Sequence, residues 1–184
     1  MTNFTIRKGE RKDQFAAFRV FRLSLYGLLQ KMTVIETIPV AAEIEKLYEY
    51  YRSFLDHIYN TCDQFWVAEA DREVIGYARS IVRDGVRQLT EFFVMPDHQG
   101  LGIGSQLLAK AFPKEDSQNR VICASPDTRA LIRYLKTGVR SRTTIYEWSR
   151  IPKVVPFETD LVINIIEDTP ANIAILNDID RAVI

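Results

Sequence analysis

The sequence predicts an α+β domain built on a mixed, mostly antiparallel sheet. Three observations predict it. Alternating apolar runs joined by tight-turn signals fill its middle, two long segments of helical periodicity precede them, and a glycine-rich turn followed by a short all-apolar run comes after. The resulting order, β α α β β β α β α β, is not the regular alternation of a doubly wound sheet.

Each element has its own warrant. Phe4-Thr5-Ile6-Arg7 alternates and reads as a strand. From Asp13, the spacing of Phe15, Phe18, Phe21, Leu25, Leu28 and Leu29 predicts a long amphipathic helix that fades between Gly27 and Lys31. Pro39 opens a second helix, with Ile44, Leu47, Tyr48, Tyr51, Leu55 and Ile58 as its inner stripe. Strands are predicted over Gln64–Ala70, Val74–Val82 and Val86–Val94, turning at Asp71-Arg72-Glu73 and Asp84-Gly85. Pro96 ends the third. After the glycine turn, Leu107, Leu108, Ala111 and Phe112 mark a helix, and Val121–Ala124 a strand buried on both faces, which makes Cys123 an inert core thiol. Asp127 to Lys136 is a helix closed by Gly138. Further strands are expected over Thr143–Trp148 and Leu161–Ile166, and a last helix from Pro170 to Ile184.

Composition narrows the function. The 184 residues carry 24 Lys+Arg and 24 Asp+Glu, so bulk charge does not favour a nucleic acid or a membrane surface as partner. From Phe157 onward stand six acids and one base, whereas Arg120 to Pro156 holds eight bases and two acids. An anionic small ligand on the basic body fits this, as does a solvated surface. Two cysteines and two histidines make neither a disulfide framework nor a metal cluster, so no metal is expected. With no signal core and no membrane-length apolar run, a cytoplasmic protein is expected.

The turn Gly100-Leu101-Gly102-Ile103-Gly104 between a strand and a helix is a candidate anion site. Glycine admits positive φ, and a helix N-terminus offers free N–H groups to phosphate. It fails the dinucleotide pattern because Ser105 occupies the third glycine position, and no Walker A run exists. Instead, Phe92 to Gly104 resembles the acyl-CoA signature of the GNAT N-acetyltransferase superfamily, [RQ]-x-x-G-x-[GA], with Gln99, Gly102 and Gly104 in register. The next unit is similar to that family's N-x-x-A-x-x-x-Y-x-x-x-G-F. Asp127, Ala130, Tyr134 and Gly138 hold the spacing, with Asp127 for the asparagine and Val139 for the phenylalanine.

The resemblance implies a GNAT-like sheet with parallel pairing at splayed acyl-CoA-binding strands. It implies acetyl-CoA as cosubstrate and a primary amine of a small molecule or peptide as acceptor. The diphosphate would rest on Gln99, Gly100, Leu101, Gly102, Ile103, Gly104 and Ser105, and the pantetheine arm along Phe92, Phe93 and Val94. Tyr134 stands where many members hold a tyrosine acid, and Arg129, Arg133 and Lys136 of the same helix could help with the phosphates or simply be solvated. Glu91 is the candidate base. Alternation puts it with Phe93 on one face of its strand and Thr90, Phe92 and Val94 on the other. Some members carry a glutamate where Gln88 or Thr90 stands here, which leaves the base open.

Residues 1–153 form the expected GNAT-like domain and 154–184 a strand–helix extension, either the start of a second GNAT-like half or an extra strand and helix that cover a sheet edge or pair with a second copy in a homodimer. A non-catalytic acyl-CoA-binding sensor or dimerisation module is the alternative function. His98 reads as a surface turn residue, His57 as structural, and Tyr48, Tyr50, Tyr51 and Phe54 as core packing or an acceptor-pocket wall.

Overall fold

A computed structural model describes residues 3–34, 41–115, 117–146, 160, 162 and 165–183. They fall into two compact units, Met1–Thr143 and Thr144–Ile184. In the first unit the strands are β1 (Thr5–Lys8), β2 (Gln64–Ala70), β3 (Glu73–Arg83), β4 (Val86–Val94) and β5 (Asn119–Ile122). The helices are α1 (Gln14–Lys31), α2 (Ala41–Thr61), α3 (Ile103–Ala111) and α4 (Thr128–Lys136). In the second unit α5 spans Pro170–Val183.

The sheet order follows the chain, β1-β2-β3-β4-β5. The first three pairings are antiparallel and β4–β5 is parallel. This is the α+β mixed sheet that the sequence predicts. Both hairpins close over two residues of positive φ, Asp71-Arg72 and Asp84-Gly85. Such turns match the right-handed twist of the flanking strands, and each hairpin then shifts register once, at Ala68/Glu69 and at Arg79/Ser80.

Period-2 alternation sends Phe65, Val67 and Tyr77 to one face, where they pack with Ala17 and Val20 of α1. Ala68 and Ala78 go to the other face, against Ile103, Leu107 and Ala111 of α3, and Ile75 joins them because it is the extra residue of a bulge opposite Ala68-Glu69. Leu89 and Phe92 join Leu108, Phe112 and Tyr134 on that same face. Two residues three apart share a face only if the strand gains a residue. It does: Arg79 pairs with Glu91 but Ser80 pairs with Leu89, so Thr90 is a β-bulge.

Several expectations change. The strand read at Val121–Ala124 lies at Asn119–Ile122 and is buried on neither face throughout; Val121 and Cys123 are exposed. A continuous apolar run signals a doubly covered strand only where elements cover both faces. No strand forms over 143–146, and the remainder of Thr143–Trp148 lies outside the described residues. Val162, Ile165 and Ile166 are likewise not in a strand, and Leu161, Ile163 and Asn164 lie outside. Pro39 is also outside, and the second helix is described from Ala41. The first helix does not fade before Lys31.

One ion pair is buried in the sheet. Arg79, with a side chain 2% exposed, donates to Glu91 Oε2 at 3.0 Å, and its guanidinium lies 4.0 Å from the Phe65 ring centroid. Removing one partner of such a pair leaves an uncompensated buried charge, worth about 3–5 kcal/mol. Arg79→Met is expected to lose that much in urea unfolding, and adding Glu91→Leu should recover most of it. A single variant as stable as wild type would show that the pair does not hold these strands together.

Candidate active site

The site begins where β4 leaves β5. Parallel pairing covers only Val86–Leu89 against Asn119–Ile122 and stops beside the bulge at Thr90. Beyond it, β4 keeps β3 on one side and has an open edge on the other. Gly76 opposes Val94, and Met95 N–H donates to Ile75 C=O at 2.8 Å. Gly76–Val94 is therefore a non-hydrogen-bonded pair, so Val94 turns its own N–H and C=O to the open edge, as does Phe92 two residues earlier. Phe93, between them, spends its backbone groups on Tyr77.

The chain then turns under the edge. Pro96–His98 form a single 3₁₀ turn, and Gly100 and Gly102 follow with φ of 92° and 86°. That left-handed region is costly for any residue with a Cβ. Gly102 caps α3, and Ser105 and Gln106 N–H groups both return to its carbonyl. The N–H groups of Ile103 and Gly104 have no backbone partner among the described residues, the usual state of a first helical turn. At Gly104 the constraint is space: a Cβ there would sit 2.9 Å from Phe92 Cζ. Arg133 of α4 reaches across to donate to Ser105 Oγ at 2.5 Å.

A cavity of about 740 Å³ runs along this edge between α1 and α4. Phe92, Phe93, Val94, Gln99, Gly100, Ile103, Gly104, Ser105 and Tyr134 of the sequence-predicted set line it. Leu101 and Gly102 do not, and Leu101 is exposed. His98, in the turn as expected, also lines it, and its buried Nδ1 has no hydrogen-bond partner among the described residues. Lys31, Lys114, Arg120, Arg129, Arg133 and Lys136 stand around the cavity against Glu115 and Asp127, which suits a ligand that is both long and polyanionic.

Tyr134 is 8% exposed and packs edge-on against Phe92 at 5.9 Å. Burial, with the nearby Asp127 charge, pushes its hydroxyl up to about 12. Asp127 is the N-cap of α4, accepting from Arg129 and Ala130 N–H at 2.8 and 3.1 Å. Glu91 is absent from the cavity wall and lies on the α1 face of the sheet, opposite Tyr134. Its Oε1 accepts from Tyr77 Oη at 2.9 Å, while its Oε2 is taken by Arg79. Phe21 and Phe93, 5.0 Å apart, complete an aromatic wall on that face. Tyr48 packs on Phe15 and Phe18, whereas Tyr50 and Phe54 are exposed and belong to neither core nor cavity.

Sequence reasoning missed Tyr77, Arg79 and Ser24. The hairpin spacing could have paired Arg79 with Glu91, but only by allowing for the bulge. Ser24 Oγ donates to Val94 C=O at 3.1 Å, and nothing in a helical polar residue announces that. Among the described residues no group of three or more His, Cys, Asp or Glu side chains is placed to hold a metal ion, and no helix is long and apolar enough to cross a membrane.

A splayed parallel pair, a glycine turn capping a helix and a cavity between them define an α+β domain with a cleft beside a free helix N-terminus. Residues 61–141 match the acetyltransferase (GNAT) domain family, so the segment that holds the two hairpins, the glycine turn and Tyr134 is similar to a GNAT domain. The fold is similar to that of the PaiA N-acetyltransferase of Thermoplasma acidophilum, solved with coenzyme A (21% identity, 78% of this chain and 93% of that chain, TM-score 0.60). It is also similar to a GNAT family acetyltransferase of Brucella melitensis solved with acetyl-CoA (17%, 77% and 85%, TM-score 0.52). A third is the acetyltransferase AAC(6')-Iy, solved with a CoA-linked bisubstrate analogue (16%, 82% and 100%, TM-score 0.53). Among curated proteins the sequence has no match.

Tyr134 carries a titration prediction. Its folded value lies above the ordinary 10, so the neutral phenol favours the fold, and that contribution is lost as pH rises from about 10 to about 12. Phenolate absorbance should show a late tyrosine titrating near 12 that Tyr134→Phe removes. Complete ionisation of all tyrosines near pH 10 before unfolding would contradict the burial described here.

Proposed function

We propose that the chain is an acetyl-CoA-dependent N-acetyltransferase that moves an acetyl group to a primary amine of a small molecule or peptide by direct attack on the thioester. The observation that carries this reading is the open edge of β4 at Phe92–Val94, which lines a cation-rimmed cavity together with Gly100, Ile103 and Gly104 of the glycine turn.

The residues fit such a donor. The Ile103 and Gly104 amides, at the positive end of α3, hold the diphosphate, with Arg133 close by at Ser105. Phe92 offers the pantetheine arm its N–H and C=O, as a strand edge does to an added strand. Val94 N–H then holds the thioester oxygen as it gains charge, a contribution typically of about 3–4 kcal/mol. Phe92, Leu108 and Phe112 keep water from the arm.

Tyr134 serves the leaving group. The departing thiolate belongs to a thiol with a pKa of about 8.5, so full transfer from a phenol near 12 is uphill by about three powers of ten. Tyr134 therefore donates a hydrogen bond to the sulfur, and the proton that finally neutralises it comes from solvent. On the opposite face, Glu91 takes the ammonium proton directly or through water, and Phe21, Phe93 and Tyr77 give a cation a favourable wall. Tyr77 and Arg79 fix the carboxylate while leaving lone pairs on both oxygens for a water.

Calorimetry with coenzyme A tests the reading. Wild type should bind, and Gly104→Leu, which drives a side chain into Phe92, should not. Absence of heat with wild type would overturn it, and binding without thiol release over an amine panel would point to a sensor module. With the best amine of that panel, Glu91→Gln should lower kcat by about 10²-fold at neutral pH. The loss should shrink above pH 10, where the amine arrives neutral. A pH-independent loss would remove Glu91 from proton transfer.

A further inference from the structure

Val94 C=O is the one outward acceptor at the end of the open β4 edge, and it is already taken twice. Ser24 Oγ–H reaches it from α1 at 3.1 Å, and Gln99 Nε2–H reaches it from the turn at 3.0 Å. A carbonyl oxygen has two lone pairs, so both are used. The donors are firmly placed. Gly27, one helical turn after Ser24, meets the Pro96 ring so closely that a Cβ would lie 3.2 Å from its Cγ, which seats α1 against the turn. Gln99 follows that turn directly, and its own N–H returns to Pro96 C=O.

This changes what the edge offers. Phe92 presents a donor and an acceptor, but Val94 presents a donor alone. An arm laid here can place an amide N–H opposite Phe92 C=O, yet it can place only an oxygen opposite Val94. From this we infer that Ser24 and Gln99 are positioning residues that set the register of the acyl donor. By occupying Val94 C=O they stop the arm from sliding one ladder repeat, roughly 6–7 Å, past the point where its thioester oxygen meets Val94 N–H. The inference rests on the acetyl-CoA reading above and goes beyond it, since it gives Gln99 a side-chain role and brings α1 into donor alignment.

The kinetic consequence is specific. A slipped arm is bound but unproductive, so freeing Val94 C=O should lower kcat and the KM for acetyl-CoA together and leave kcat/KM unchanged. A protein that has merely lost structure loses kcat/KM. For Ser24→Ala with Gln99→Ala, both constants should fall about fivefold, the effect of one new neutral hydrogen bond in the slipped complex. Ser24→Ala alone, which disturbs the fold least, should show the same paired fall in smaller degree, and Ser24→Thr, which keeps the hydroxyl, should behave as wild type. Coenzyme A calorimetry on wild type and variants accompanies the kinetics. If wild type binds and kcat/KM falls with kcat, or neither constant moves, the register role is wrong while the acetyl-CoA reading survives. If wild type binds no coenzyme A, that reading fails and the register role with it.

Discussion

One extra residue in β4 governs the rest of the molecule. Thr90 is skipped in the register with β3, its hydroxyl reaching Arg79 C=O at 3.2 Å, and the bulge it makes bends the strand beside the point where β5 stops pairing. Had pairing continued, β5 would have consumed the outward N–H and C=O groups of Phe92 and Val94. Because it stops, these groups face a cavity. Buried and unmet, each would cost about 1–3 kcal/mol. The fold meets one of them internally, through Ser24 and Gln99 at Val94 C=O, and leaves the others to whatever enters.

The bulge also sorts the chemistry by face. Leu89 and Phe92 share the α3–α4 side with Tyr134, while Glu91 and Phe93 share the α1 side with Tyr77 and Arg79. A thioester in the gap between β4 and β5 can be approached from both. Sulfur on one side would find a buried phenol that keeps its proton, and an amine on the other would find aromatic rings and an oriented carboxylate. In the proposed reaction the two groups need no contact with each other, because the incoming amine and the outgoing sulfur lie on opposite sides.

Much of this was legible in the sequence for local reasons. β2 and β4 lie at Gln64–Ala70 and Val86–Val94 as predicted, because two-residue turns and a terminating proline fix strand ends within a few residues. The glycine turn was legible because positive φ leaves a compositional trace. What failed was non-local. Alternation within one strand gives the correct face for Glu91 but cannot reveal an inserted residue upstream, so Leu89 and the Arg79 partner were missed. Val121–Ala124 looked doubly buried because an apolar run says nothing about whether a neighbour covers it. Ser24 is a polar residue in an amphipathic helix, and only the fold brings it to Val94.

The turn's three signature positions have three different physical reasons. Gly102 is needed for its backbone, since its φ of 86° is left-handed and a Cβ there would meet nothing within 4 Å. Gly104 has no such conformational demand and is needed for space beneath Phe92. Gln99 is needed for a side-chain N–H that reaches back to β4. Only the first two shape the turn itself, and the third ties the turn to the strand edge. A match to the signature therefore reports that turn and strand are held in a fixed relation, which a diphosphate alone would not require. A ligand that must be gripped at its phosphates and aligned at its far end does require it, and acetyl-CoA, charged at one end and reactive at the other, is such a ligand.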